Sequence, residues 1–124
     1  MNKQRPVNLD LTSMSFPVTA ISSILHRITG VFLVIGIPVL LWMLGKSLAS
    51  EQGFNEASSF VAAGFGKLLF WAILSSIGFH IIAGLRHLLM DAGIGESLEG
   101  GMRGATIVLV LGVLLAIGLG VWLW

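Results

Sequence analysis

Three histidines, flanked by arginines and serines, hold most of the chemistry available to this 124-residue sequence. His80 is the unusual one. It lies within Leu68–Leu85, a run without formal charge, and precedes Arg86 by six residues. On a helix that sets it about 9 Å deeper than the charged end. A titratable group in hydrocarbon is costly, so its presence marks a functional position or a side chain satisfied by a neighbour.

The spacing around His80 supports two readings. Ser76, His80, Gly84 and His87 fall at i−4, i, i+4 and i+7 and share one helix face. A glycine one turn from a deep imidazole leaves clearance for a large flat group. On the first reading His80 is an axial ligand of a non-covalent b-type haem, because neutral imidazole suits iron and burial keeps it neutral. On the second it hydrogen-bonds a neighbouring helix, a common use of polar residues in membrane bundles. Only one histidine lies deep, so a bis-histidine haem requires its second imidazole from a partner membrane subunit.

A second constellation precedes it. Ser23 and Arg27 are spaced i, i+4, with Ser22 and His26 beside them. A hydroxyl and a guanidinium at a membrane surface can hold a carbonyl or carboxylate by directed hydrogen bonds. With Arg86 and His87 they form a basic rim above His80, suited to haem propionates, a quinone head group or a lipid phosphate. Plain juxtamembrane anchoring is the bland alternative. Met43, Met90 and the phenylalanines read as packing.

These residues need membrane helices to position them. Apolar residues make up 56% of the chain and charged residues 10%, against a typical quarter charged in soluble domains. Ile28–Gly45, Leu68–Leu85 and Ala105–Trp124 carry no charge, each long enough for about 27 Å or more at helical rise. The expected fold is all-α: one membrane-anchor domain over 1–124, with spans near 20–48, 60–89 and 105–124. Helix one should start near Ala20, capped by Thr19 or Ser22, with a tolerated kink at Pro38. Lys46 to Ser59 reads as a polar connection, and 91–103 as a glycine-bearing acidic loop. The polar start lacks the apolar region of a secretory signal.

Basic residues set the orientation. Lys3, Arg5, Arg27, Arg86 and Arg103 fall on one side, Lys46 and Lys67 on the other, which places the N-terminus in the cytoplasm and the C-terminus in the periplasm. Trp42, Trp71, Trp122 and Trp124 map to the outer ends, as an interfacial belt would. With no cysteine, iron–sulfur ligation, disulfides and covalent c-type haem are excluded within the chain. No internal repeat supports a transporter architecture. All six acids lie outside the apolar runs, which argues against a proton-coupled exporter; a small non-redox transporter or structural subunit stays as the reading from another class.

Arg5-Pro6-Val7-Asn8-Leu9-Asp10-Leu11, then Ser22-Ser23-Ile24-Leu25-His26-Arg27-Ile28-Thr29-Gly30, then His80-Ile81-Ile82-Ala83-Gly84-Leu85-Arg86-His87 with Asp91 strongly resemble the cytochrome b anchor subunits of bacterial succinate dehydrogenase (complex II). The resemblance covers essentially the whole chain. It implies a multi-pass subunit of the bacterial inner membrane that shares one haem b with a second small anchor. His80 is the implied axial ligand to the haem iron, and His26, Arg27 and His87 are implied cofactor-binding residues. Ser23 and Arg27 are implied to bind ubiquinone. The chain is not catalytic alone; FAD and iron–sulfur clusters belong to a flavoprotein and an iron–sulfur subunit. Membrane lipid is expected around it, and no nucleic acid. A fumarate reductase-type anchor that oxidises quinol is the close alternative.

Overall fold

A computed structural model describes residues 9–124 and contains four helices there, α1 (Val18–Ala49), α2 (Glu51–Ala62), α3 (Gly64–Asp91) and α4 (Leu98–Leu123), with no strand among the described residues. The positions Lys3, Arg5, Pro6, Val7 and Asn8, used above for motif and orientation, lie outside the described residues. Helices α1, α3 and α4 are each long and apolar enough to cross a membrane. The chain is therefore all-α and multi-pass.

Local signals explain where the helices begin and end. Helix α1 starts two residues before the expected Ala20. Pro17 occupies the cap position without a side-chain bond, and its carbonyl accepts from the N–H of Ala20 and Ile21. Thr19 and Ser22 thus sit inside the helix and do not cap it; Ser22 is instead buried. The segment read as a polar connection is largely helical. Ser50 breaks the backbone and caps α2 by accepting from Gly53 N–H, with Glu51 in the first turn favourably placed against the helix dipole. At Ala63 the backbone is extended, so α3 begins at Gly64 and not at Phe60. That joint needs Gly66, where a Cβ would run into the Phe60 carbonyl oxygen and a side chain has no room. Helix α3 ends in a Schellman motif. Ile94 N–H reaches Leu89 O and Gly93 N–H reaches Met90 O, with Gly93 in the left-handed region at φ 83°. The acidic loop is shorter than expected, because Ser97 caps α4 at Gly100 N–H and the helix runs from Leu98.

Packing registers can be read from the contacts. Ile73 fills a notch at Gly36, and His80 lies against Gly30, so α3 runs antiparallel to α1. Leu115 fills the notch at Gly78 and Phe79 the notch at Gly112, while Arg86 lies beside Gly104, so α4 runs antiparallel to α3. Glycine facing a large side chain brings helix backbones close, the packing mode that lipid favours where no hydrophobic gain drives association. Leu33, Ile73, Ala83, Ala105 and Val108 form the buried centre. Val31, Val34 and Ile35 of α1, Leu88 of α3 and Val113, Leu114 and Ile117 of α4 stay exposed on the bundle, as a lipid-facing surface requires.

The two ends of the bundle differ. At one end Lys46 lies over Trp42 and Lys67 over Trp124, each 5.5 Å from the ring centroid. Trp71 Nε1 donates to Ala116 O at 2.8 Å nearby on α4. The histidines lie toward the other end. The acids among the described residues sit in the entry segment, on α2, and around the α3–α4 turn.

Candidate functional site

The histidine end is built by the first turns of α1 and the last turns of α3. Arg27 follows Ser23 by one turn, and its Nη2 donates to Ser23 Oγ at 3.2 Å. The expected i, i+4 pairing is therefore present as a hydrogen bond. Because Ser23 Oγ accepts from Arg27, its own hydroxyl hydrogen is available to a further acceptor. Arg27 is exposed.

Beside this pair, α1 and α3 bring the three imidazoles together. The His26 and His80 rings stack with centroids 4.1 Å apart and planes 21° from parallel. His87 lies on the other side of His26, at 5.0 Å and tilted by 40°. The shared face of His80, Gly84 and His87 thus exists, but it meets α1. An ideal Cβ on Gly84 would stand 3.7 Å from His26 Nε2. The clearance beside Gly84, expected for a large flat group, is filled by the imidazole of His26.

His80 is anchored through one nitrogen. Its Nδ1 lies 3.1 Å from the His26 carbonyl oxygen and 3.2 Å from Thr29 Oγ1. A carbonyl can only accept, so Nδ1 carries the proton in this bond and the neutral ring keeps its lone pair on Nε2. No hydrogen bond among the described residues engages Nε2 of His80. Both sequence readings of His80 are therefore compatible with one geometry. A metal-binding histidine ordinarily donates its other N–H to a carbonyl or carboxylate, which fixes tautomer and ring orientation. Among the described residues no group of three or more histidine, cysteine and acidic side chains is arranged to hold a metal. His26 Nε2 is buried without a partner, an unmet polar atom of the kind a bound group would satisfy.

Arg86 departs from the expected rim. Its guanidinium turns between α3 and α4, where Nη2 donates to Gly101 O at 3.0 Å and Gly104 leaves room for the side chain. Ser23 and Arg27 thus keep a hydroxyl and a guanidinium at this end of the bundle, with His26 and His87 at the same level between α1 and α3. Thr29 and Gly30 were present in the motif but carried no assignment. Their spacing of three and four residues from His26 is the signal that could have placed them on the His80 side of α1.

A family model for succinate dehydrogenase/fumarate reductase transmembrane subunits matches residues 1–119. The chain belongs to this family. Among its curated relatives, the succinate dehydrogenase cytochrome b556 subunit of Coxiella burnetii is 42% identical over the full length of both chains. The subunit of the same name from Paracoccus denitrificans is 34% identical, covering 91% of this chain and 87% of its own. The succinate dehydrogenase cytochrome b560 subunit of Reclinomonas americana is 36% identical, covering 80% and 72%. These relatives are subunits of an oxidoreductase, and this chain is a membrane subunit of that kind, not catalytic by itself.

Proposed function

We propose that this chain is the membrane anchor of a succinate:ubiquinone oxidoreductase, holding haem b jointly with a second small anchor and forming part of the ubiquinone-reduction site. The observation that carries the reading is the Nδ1–H bond of His80 to the His26 carbonyl, which leaves Nε2 as an imidazole donor at the α1–α3 interface. Membership of the family and relatives named cytochrome b556 support it.

His80 Nε2 would be this chain's ligand to the haem iron, with the second imidazole supplied by the partner anchor. His26, Arg27 and His87 would face the propionates; the unpartnered His26 Nε2 fits that role. The haem, when bound, supplies a one-electron carrier. Ser23, oriented by Arg27, donates its hydroxyl to a quinone carbonyl. Arg27 opposes the negative charge that builds on the quinone oxygen during reduction. A flavoprotein subunit with FAD and an iron–sulfur subunit complete the complex; this chain, without cysteine, holds no cluster. The membrane is the bacterial inner membrane. The N-terminus and the α3–α4 turn face the cytoplasm, the C-terminus the periplasm, following the basic residues. The reading takes succinate oxidation as the direction, since the relatives are named succinate dehydrogenase.

A reduced-minus-oxidised spectrum of the chain assembled with its partner subunits tests the ligand. His80→Ala should abolish the b-type α-band; an unchanged band refutes the assignment. Ser23→Ala should impair quinone reduction while succinate oxidation with an artificial acceptor persists. Equal loss of both removes Ser23 from the quinone site.

A further inference from the structure

Thr29 joins His80 and the His26 carbonyl in a closed triangle. Thr29 Oγ1 donates to His26 O at 2.9 Å, and both of those oxygens lie within 3.2 Å of His80 Nδ1. The direction of each bond can be assigned. A threonine within a helix commonly returns its hydroxyl hydrogen to the carbonyl three or four residues back, and Thr29 does so. With that hydrogen committed, the lone pairs of Oγ1 are what remains for Nδ1–H. The two contacts to Nδ1 thus require the same tautomer and reinforce each other. Gly30 completes the seat: an ideal Cβ there would lie 3.0 Å from His80 Cε1, so the imidazole edge rests directly on the α1 backbone.

We infer that Thr29 is a positioning residue for His80, its hydroxyl oxygen accepting from Nδ1–H, holding Nε2 as the donor nitrogen and strengthening it as a ligand. This inference rests on the reading of His80 as the haem ligand. An acceptor on the far nitrogen raises the basicity of the ligating one. A more basic axial imidazole favours the oxidised iron, and hydrogen bonds to ligands are one of the means by which a protein sets haem potential. Thr29 therefore lowers the midpoint potential of the group that His80 holds, without touching it.

The test is a potentiometric titration of the b-type α-band in the assembled complex, with low-spin haem EPR in parallel. Thr29→Val keeps the shape and removes Oγ1; Thr29→Ser keeps the hydroxyl and removes a methyl. The expected result is a raised midpoint potential in Thr29→Val and a wild-type potential in Thr29→Ser. A wild-type potential and EPR signature in Thr29→Val overturn the inference. Where Thr29→Val loses haem altogether, full occupancy in Thr29→Ser supports a requirement for the hydroxyl, and equal loss in both overturns it. His80→Ala separates the two levels. Retention of its α-band removes the ligand reading and this inference together. Loss of that band with an unshifted Thr29→Val removes only the role of Thr29.

Discussion

Replacing Gly30 with alanine sets one methyl group against the edge of the His80 ring. The ideal Cβ stands 3.0 Å from Cε1 and 3.7 Å from Nδ1, whereas carbon atoms settle at about 3.5–4.0 Å. The ring must give way from α1 by a few tenths of an ångström. Both partners of Nδ1, His26 O and Thr29 Oγ1, lie on α1, at 3.1 and 3.2 Å. The same retreat stretches both bonds toward about 3.5 Å, the outer limit at which such a bond is made, so each is largely lost. Each net loss is about 0.5–1.5 kcal/mol, with the lower half more typical between membrane helices. Together they amount to about 1–2 kcal/mol. Alanine also gains up to about 1 kcal/mol over glycine in helix propensity, which masks the steric cost in a single comparison. Gly118→Ala is the reference, because nothing lies within 4 Å of its Cβ position and it receives the propensity gain alone. The expected gap between the two variants is about 1–2 kcal/mol, a factor of about 5–30 in the folded ratio. Unfolding of the assembled complex by rising SDS fraction in mixed micelles measures it, followed by helical circular dichroism and by the b-type α-band. Equal stability of the two variants within about 0.3 kcal/mol, with an unshifted band in Gly30→Ala, refutes the claim that His80 is seated on Gly30.

Three further outcomes are expected. Trp71→Phe removes the Nε1–H donation to Ala116 O and should cost about 0.6 kcal/mol, and at most about 1.7, in the same micelle titration; no loss would mean that bond contributes nothing to α3–α4 packing. Gly112→Ala forces the Phe79 ring aside, since its Cδ2 lies 2.6 Å from the Cβ position, and should cost about 1–3 kcal/mol as overpacking relative to Gly118→Ala; equality with Gly118→Ala would show that the ring swings freely into lipid. Glu56 is held below the usual carboxylate value of 4.5 by its hydrogen bond to Lys46, then by Gln52 and the Lys46 charge. A depressed carboxylate stabilises the fold above its unfolded pKa and loses that contribution as pH falls through the folded value. Wild type should therefore lose a small, salt-screened increment of thermal stability below about pH 4.5, as expected of an exposed ion pair. Glu56→Gln should show no such increment, and an identical pH profile would count against the pair.

The composition and the charge spacing alone determined the three membrane-length helices, because a long uncharged run leaves the backbone no other way to satisfy itself in lipid. The i, i+4 bond of Arg27 to Ser23 was legible because it lies within one helix, where spacing fixes proximity. The shared face of His80, Gly84 and His87 was legible too. What faces it was not. Which helix meets that face depends on the register of α1 against α3, and register is set by side chains far apart in sequence, such as Ile73 in the Gly36 notch. Only the tertiary structure put the His26 ring into the space beside Gly84, turned Arg86 toward the Gly101 carbonyl, and gave Thr29 and the His26 backbone to His80 as hydrogen-bond partners. Helix α2 escaped the sequence reading because its polar residues resemble a loop in composition; the Ser50 cap and the packing of α2 on α1 and α3 decide it. The physical reason is common to the three placements around His80 and Arg86. Sequence periodicity fixes the direction of a side chain about its own helix axis, while its partner is chosen by the way two helices interlock.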